Sequence, residues 1–265
     1  VSGSDSTGRP VRSPSGIAWL IGIGLTAGFL SGLFGVGGGI LIVPAVVFLL
    51  GFGQRLAAGT SLAAIVPTSL VGVLSYAVNG TVDWVAAILL AIGAIGGAQL
   101  GSYLLSKLPK KALQWGFIGF LLVVVVSLFL IVPSRTAEID LHVGSIIGLI
   151  VLGFLTGVLS GLLGIGGGVV VVPMLILLFG ASDLIAKGTS LLMMVPTAMS
   201  GTIGNVRRGN VDLTAAAIIG IAACTTTALG AIVASVVPPF VGNLLFAAFL
   251  VAIAIRMVFQ AIKRS

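Results

Sequence analysis

Residues 35–44 read GVGGGILIVP, and 129 positions later residues 164–173 read GIGGGVVVVP. The first decamer sits inside an apolar run from Ile17 to Leu50, 34 residues in all. A straight helix of that length would measure about 51 Å, against a hydrocarbon core of about 30 Å. Its glycines fall near the middle, where each costs about 1 kcal/mol of helix propensity relative to alanine. The run therefore reads as a broken hairpin: one helix in, a turn or unwound stretch at 35–39, and a second helix back to the same side.

The second copy is no coincidence. Sliding the chain by 129 without a gap lays Gly28–Asp83 on Gly157–Asp212 with 25 of 56 positions identical. Leu30-Ser31-Gly32-Leu33 meets Leu159-Ser160-Gly161-Leu162, Gly59-Thr60-Ser61-Leu62 meets Gly188-Thr189-Ser190-Leu191, and Pro67-Thr68 meets Pro196-Thr197. An internal duplication makes each half one folding unit. Further apolar runs at 56–78, 84–105 and 112–132 complete the first half.

With 58% hydrophobic and 7% charged residues, the chain reads as a polytopic all-α membrane protein, since a transmembrane barrel would show alternating segments of about ten residues. Residues 1–16, rich in Ser, Gly and Pro, read as a disordered tail, neither a signal peptide nor a domain. Repeat 1 is assigned to 17–133, the central loop to 134–143 and repeat 2 to 144–263. The net charge of +7 comes from basic residues in the short polar breaks, without the basic stripe and interleaved aromatics of a nucleic-acid binder. A single cysteine, Cys224, excludes an intramolecular disulfide and a cysteine metal cluster.

The charges choose between two topologies. If each first segment crosses once, the basic residues divide 7 to 5 between the faces, which sets no orientation. If each is a hairpin, the halves become inverted. Arg9, Arg12, Arg55, Lys107, Lys110, Lys111, Arg207, Arg208, Lys263 and Arg264 then share one face. The other keeps Arg135 and Lys187, in its polar breaks, and gains Asp83, Glu138, Asp140 and Asp183. That bias of 10 to 2 is what the positive-inside rule demands. Two inverted-topology repeats are expected, each a glycine-broken hairpin plus three transmembrane helices, with both termini in the cytoplasm. Inverted repeats with interrupted helices are the architecture of secondary transporters, with the substrate site near the midplane.

What remains at membrane depth is small and neutral: Ser31, Thr60, Ser61 and Thr68, with Ser160, Thr189, Ser190 and Thr197 at matching positions. Where a helix restarts after Gly37, Gly38 and Gly39, or after Gly166, Gly167 and Gly168, its first N–H groups lack intrahelical partners and carry the positive dipole end. Glycine allows close approach and positive φ, so consecutive N–H groups can converge on an oxyanion. Close helix packing is the competing explanation for the same small residues. Gln99, the long polar side chain inside a span, is either a helix-contact donor or a substrate ligand. Pro44, Pro67, Pro173 and Pro196 are expected to break or kink their helices. Asp83 and Asp212 stand where a polar turn enters the next helix, as caps or as coupling groups.

The glycine run is not a phosphate loop, because no Gly-Lys-Ser/Thr follows. An intramembrane protease lacks its nucleophile with a histidine base. No catalytic residue, metal ligand or cofactor is assigned.

The doubled pattern Gly-x-Leu-Ser-Gly-Leu-x-Gly-x-Gly-Gly-Gly-x-x-x-Val-Pro, each copy followed by Gly-Thr-Ser-Leu and Gly-x-Val-Asp, resembles the TauE/SafE sulfite-exporter family over about Ile17 to Lys263. The resemblance implies transport of a small sulfur-containing anion, sulfite or an organosulfonate such as sulfoacetate, across the bacterial inner membrane, usually outward. Proton or sodium is the candidate coupling ion, and self-association into a homo-oligomer stays open. The alternatives are an uptake permease for a sulfur compound or organic acid, and a non-transporting membrane partner of a sulfur-metabolising complex.

Overall fold

The computed structural model describes residues 14–129 and 142–263. Most of the tail, most of the central loop, and Arg9, Arg12, Arg135, Glu138, Asp140 and Arg264 of the charge count lie outside the described residues. Among the described residues there are ten helices and no strand: α1 Pro14–Phe34, α2 Gly39–Leu49, α3 Gln54–Ala77, α4 Trp84–Lys107, α5 Lys110–Phe129, α6 Val143–Leu163, α7 Gly168–Phe179, α8 Asp183–Arg207, α9 Leu213–Val236 and α10 Pro239–Lys263. Residues 14–16 and 143, assigned to the tail and the loop from sequence, are helical. Five helices, α1, α3, α4, α6 and α9, are long and apolar enough to cross a membrane.

The duplication is legible in the element bounds. Shifted by 129, α1 falls on α6 and α4 on α9, end for end. The halves interlock by exchange, each half's first helix packing on the other half's fourth: α1 on α9 and α6 on α4. Glycines let the backbones meet at these seams. A methyl group added at Gly93, Gly97 or Gly101 would lie 2.0, 2.1 or 2.2 Å from the carbonyl oxygens of Ile150, Phe154 and Val158. Gly24, Gly28 and Gly32 approach the carbonyls of Ile219, Ala223 and Thr227 in the same way. In a bilayer, where the lipid tails are as apolar as leucine, such contacts are what hold helices together.

The order of these contacts fixes direction. Residue numbers rise together along both seams, so α1 runs parallel to α9 and α4 parallel to α6. Across the centre Gly72 meets Leu191 and Gly201 meets Leu62, so α3 and its repeat mate α8 run antiparallel. Outward faces carry large apolar side chains, including Ile88, Ile92, Ile221, Leu229 and Ile232, an arrangement that suits lipid and not water.

Candidate functional site

The two glycine segments meet at the centre of the molecule. After α1 ends at Phe34, Gly35, Gly37 and Gly38 adopt φ of +70°, +74° and +75°; Gly164, Gly166 and Gly167 adopt +76°, +81° and +86°. Side chains with a Cβ disfavour that left-handed region. Gly39 and Gly168 are needed for a different reason. A methyl at Gly39 would lie 2.6 Å from the Gly164 oxygen, and one at Gly168 would lie 2.7 Å from the Gly35 oxygen. Gly37 and Gly166 both abut Ile65 and the Met194 sulfur. The two glycine segments therefore pass each other antiparallel, beside Ile65 and its repeat mate Met194, and every residue of 35–39 and 164–168 is buried.

From this crossing α2 and α7 start back along their partners. With 11 and 12 residues, they are about 16–18 Å long, half a bilayer core. Each hairpin thus consists of a full-length helix, a glycine segment, and a half-length return helix. Leu41 and Ile42 donate to the Gly38 carbonyl, as Val170 and Val171 donate to that of Gly167. That leaves the first N–H groups of α2 and α7 without intrahelical acceptors. Neither helix has a side-chain N-cap. Close by, the hydroxyls of Ser31 and Ser160 are fully buried and make no hydrogen bond. Ser160 faces the glycine turn, its Cβ 3.7 Å from where a Gly167 Cβ would stand. Leaving such a hydroxyl unpaired costs about 1–3 kcal/mol, and the fold does so twice, at repeat-related positions.

The other small polar residues braid the halves together. Ser61 Oγ donates to the Gly164 carbonyl at 2.7 Å and Ser190 Oγ to that of Gly35. Thr60 Oγ1 accepts from the Asp212 N–H and Thr189 Oγ1 from the Asp83 N–H, each at 2.9 Å. Thr68 and Thr197 bond back to Ala64 and Met193 one turn earlier. Gln99 lies away from the crossing and ties α4 to α8 through Ser200. The side chains of Asp83 and Asp212 cap α4 and α9 by accepting from Ala86 and Ala215.

One expectation is corrected. Pro44, Pro67, Pro173 and Pro196 end no helix; each lies inside a continuous one. A proline removes a single N–H, which leaves one carbonyl four residues earlier without its helical donor while the turns on either side keep theirs. The interruption sits at the glycines instead.

Sequence reasoning also placed Lys187 and Asp183 in a polar break. Both lie in the first turns of α8, 7% and 2% exposed, joined by a 2.8 Å ion pair. Their i, i+4 spacing was the available signal; burial was not, because it comes from the tip of the first hairpin, whose Gly35 packs on the Lys187 stem.

Comparison with known proteins gives the chain a family. The family model described as Sulfite exporter TauE/SafE matches residues 2–128 and 149–265. The chain belongs to that family. Among TauE/SafE-like relatives, the probable membrane transporter protein YunE of Bacillus subtilis is 31% identical over 218 residues, covering 73% of this chain and 79% of its own. A probable membrane transporter protein of Xylella fastidiosa (strain Temecula1) is 29% identical over 248 residues, covering 91% and 94%. One from Haemophilus influenzae is 28% identical over 256 residues, covering 89% and 95%. No solved structure matches the chain. This TauE/SafE member is thus a multi-pass membrane protein of a transporter family and not an enzyme.

Proposed function

We propose that the protein is a secondary transporter that exports sulfite or a small organosulfonate across the cytoplasmic membrane by alternating access around the glycine crossing. The observation that carries this reading is the pair of buried, unpartnered hydroxyls, Ser31 and Ser160, beside the uncapped N-termini of two half-length helices. Two positive dipole ends and two hydroxyl donors make a neutral anion site. Its lack of full charge suits a cargo that must leave again. Ser31, Gly37–Gly39, Ser160 and Gly166–Gly168 are the contacts we assign to the anion. Thr60, Ser61, Thr68, Thr189, Ser190 and Thr197 serve in our reading as the braces that hold the two segments in register.

Inverted topology is supported by α3 and α8, repeat mates that run antiparallel: a two-fold that reverses a membrane-crossing helix has its axis in the membrane plane. Alternating access then exchanges the roles of two nearly equal halves. The charge bias supports a cytoplasmic side for both termini, where the negative interior potential favours outward movement of an anion. Proton or sodium remains the coupling candidate.

Counterflow of radiolabelled sulfite in proteoliposomes tests the proposal. Saturable exchange that falls at least tenfold in the Ser31→Ala/Ser160→Ala double variant supports it. Absence of exchange by the native chain refutes it and favours a non-transporting membrane partner.

A further inference from the structure

The two hairpin tips differ in what packs beneath them. The repeat mates of Lys187, Asp183 and Tyr76 are Ala58, Gln54 and Asn205. At the second hairpin tip, Gly164 packs on Ala58 and is held by Ser61. At the first, Gly35 packs on the Lys187 stem and is held by Ser190. A methyl at Gly35 would stand 2.6 Å from the Lys187 Cα and Cβ and 2.9 Å from its Cγ. The tip of hairpin 1 therefore lies directly over the one buried cation among the described residues.

The ion pair is poorly made for stability. Asp183 Oδ2 takes Lys187 Nζ at 2.8 Å, while Asp183 Oδ1 is buried without a hydrogen bond. A buried carboxylate stabilises a fold only when its remaining lone pairs are satisfied; otherwise its desolvation outweighs the Coulomb gain. Gly188, next to the pair, is closed over by the Thr81 carbonyl and the Val82 and Tyr76 side chains. The Tyr76 hydroxyl is engaged by the Gly32 carbonyl at 2.7 Å. The site is thus roofed by the hairpin tip and by the 81–82 turn, with a lysine whose single carboxylate partner sits one turn away on its own helix.

We propose that Lys187 is a second anion contact, one step from the midplane towards the face opposite the chain termini, and that Asp183 is its competing counter-ion. With the tip of hairpin 1 seated, Asp183 holds Lys187. When the tip lifts, an oxyanion arriving from the crossing takes the ammonium in place of the carboxylate, and Asp183 turns to water at that face. Expelling the anion needs only the return of Asp183, so the cation binds its cargo without trapping it. Ala58 supplies no such station on the other side, which makes the two half-cycles unequal. This inference rests on the anion-transport reading above.

The test uses the full chain in lipid nanodiscs and sulfite as the titrated probe, by calorimetry. Lys187→Gln is expected to weaken binding at least tenfold and Lys187→Arg to preserve it within threefold. Asp183→Asn is expected to tighten binding at least threefold, because it removes the competitor and leaves the ammonium. A purely structural ion pair predicts no tightening by Asp183→Asn. Unchanged or weaker binding by that variant, or its failure to fold, overturns the proposal whatever Lys187→Gln does. No sulfite binding by the native chain overturns it too. Binding of the expected pattern without counterflow would refute transport and leave the competing pair standing.

Discussion

Gly38 and Gly167 are repeat mates with nearly the same backbone, φ +75° and +86°, yet the structure assigns them different tolerance for a methyl group. Alanine at either must hold the left-handed conformation, at about 1–2 kcal/mol. At Gly167 the new Cβ would find its nearest neighbour 3.3 Å away, the mobile end of Met193. Strain is then the whole cost, and a scale of about 2–4 °C per kcal/mol gives a fall in Tm of about 2–8 °C. At Gly38 the Cβ would lie 2.8 Å from the Ala27 oxygen and 3.1 Å from the Ala27 Cβ. Ala27 cannot retreat, since Gly24 and Gly28 on either side already touch the α9 backbone. Overpacking adds about 1–3 kcal/mol there, so Gly38→Ala should lose about twice as much as Gly167→Ala. Gly22 on the same helix α1 has nothing within 4 Å of its Cβ position, and Gly22→Ala should lose no stability and gain up to about 1 kcal/mol of helix propensity. The lone Cys224, partly buried in α9, reports unfolding through a thiol-reactive fluorophore in detergent. Equal losses at Gly38 and Gly167, or losses no greater than at Gly22, would refute the geometry of the crossing.

Three further outcomes follow from the same contacts. Gly97→Val should abolish the monodisperse peak on size-exclusion chromatography, because its Cβ would lie 2.1 Å from the Phe154 oxygen, while Gly96→Val, with nothing within 4 Å, should leave the peak intact. Ser61→Ala and Ser190→Ala each strip the side-chain donor from a buried tip carbonyl and should each cost about 1–3 kcal/mol in the thermal assay; no change in either would deny the hydroxyl braces a role. In a chain with Cys224 replaced, cysteines at Gly80 and Gly209, both at open positive-φ turns, should react with a membrane-impermeant maleimide from opposite faces; labelling from one face would refute inverted topology.

The hairpins were legible because length and composition left no alternative. A 34-residue apolar run cannot cross a bilayer as one straight helix, and consecutive glycines are where it yields most cheaply. The duplication was legible too, and with it the pairing of Ser31 with Ser160. Sequence could not show that the return helices start at mid-depth, because that depends on where the two glycine segments cross, Gly35 against Gly168 and Gly39 against Gly164. Nor could it say which hydroxyls are committed: Ser61 and Ser31 look alike in sequence, but Ser61 reaches a carbonyl 103 positions away, a contact that exists only once the halves interlock. The prolines break no helix, because each removes one N–H while the flanking turns keep theirs.

Lys187 carries the deeper lesson about duplication. Charge counting treated it as one of two basic residues on the sparse face, a small exception to the positive-inside bias. In the fold it is buried, and burying it required an acidic partner on the same helix and a glycine tip from the other half. A duplicated transporter with identical halves would meet its cargo equally from both faces. Substituting charged residues at one tip is an economical way to break that equality: two residues in α8, Asp183 and Lys187 against Gln54 and Ala58, change the electrostatics of one exit without touching the crossing. The places to look for direction in such a fold are therefore the positions where the repeats disagree, while the positions where they agree, the glycines and the paired serines, are the contacts proposed for the anion.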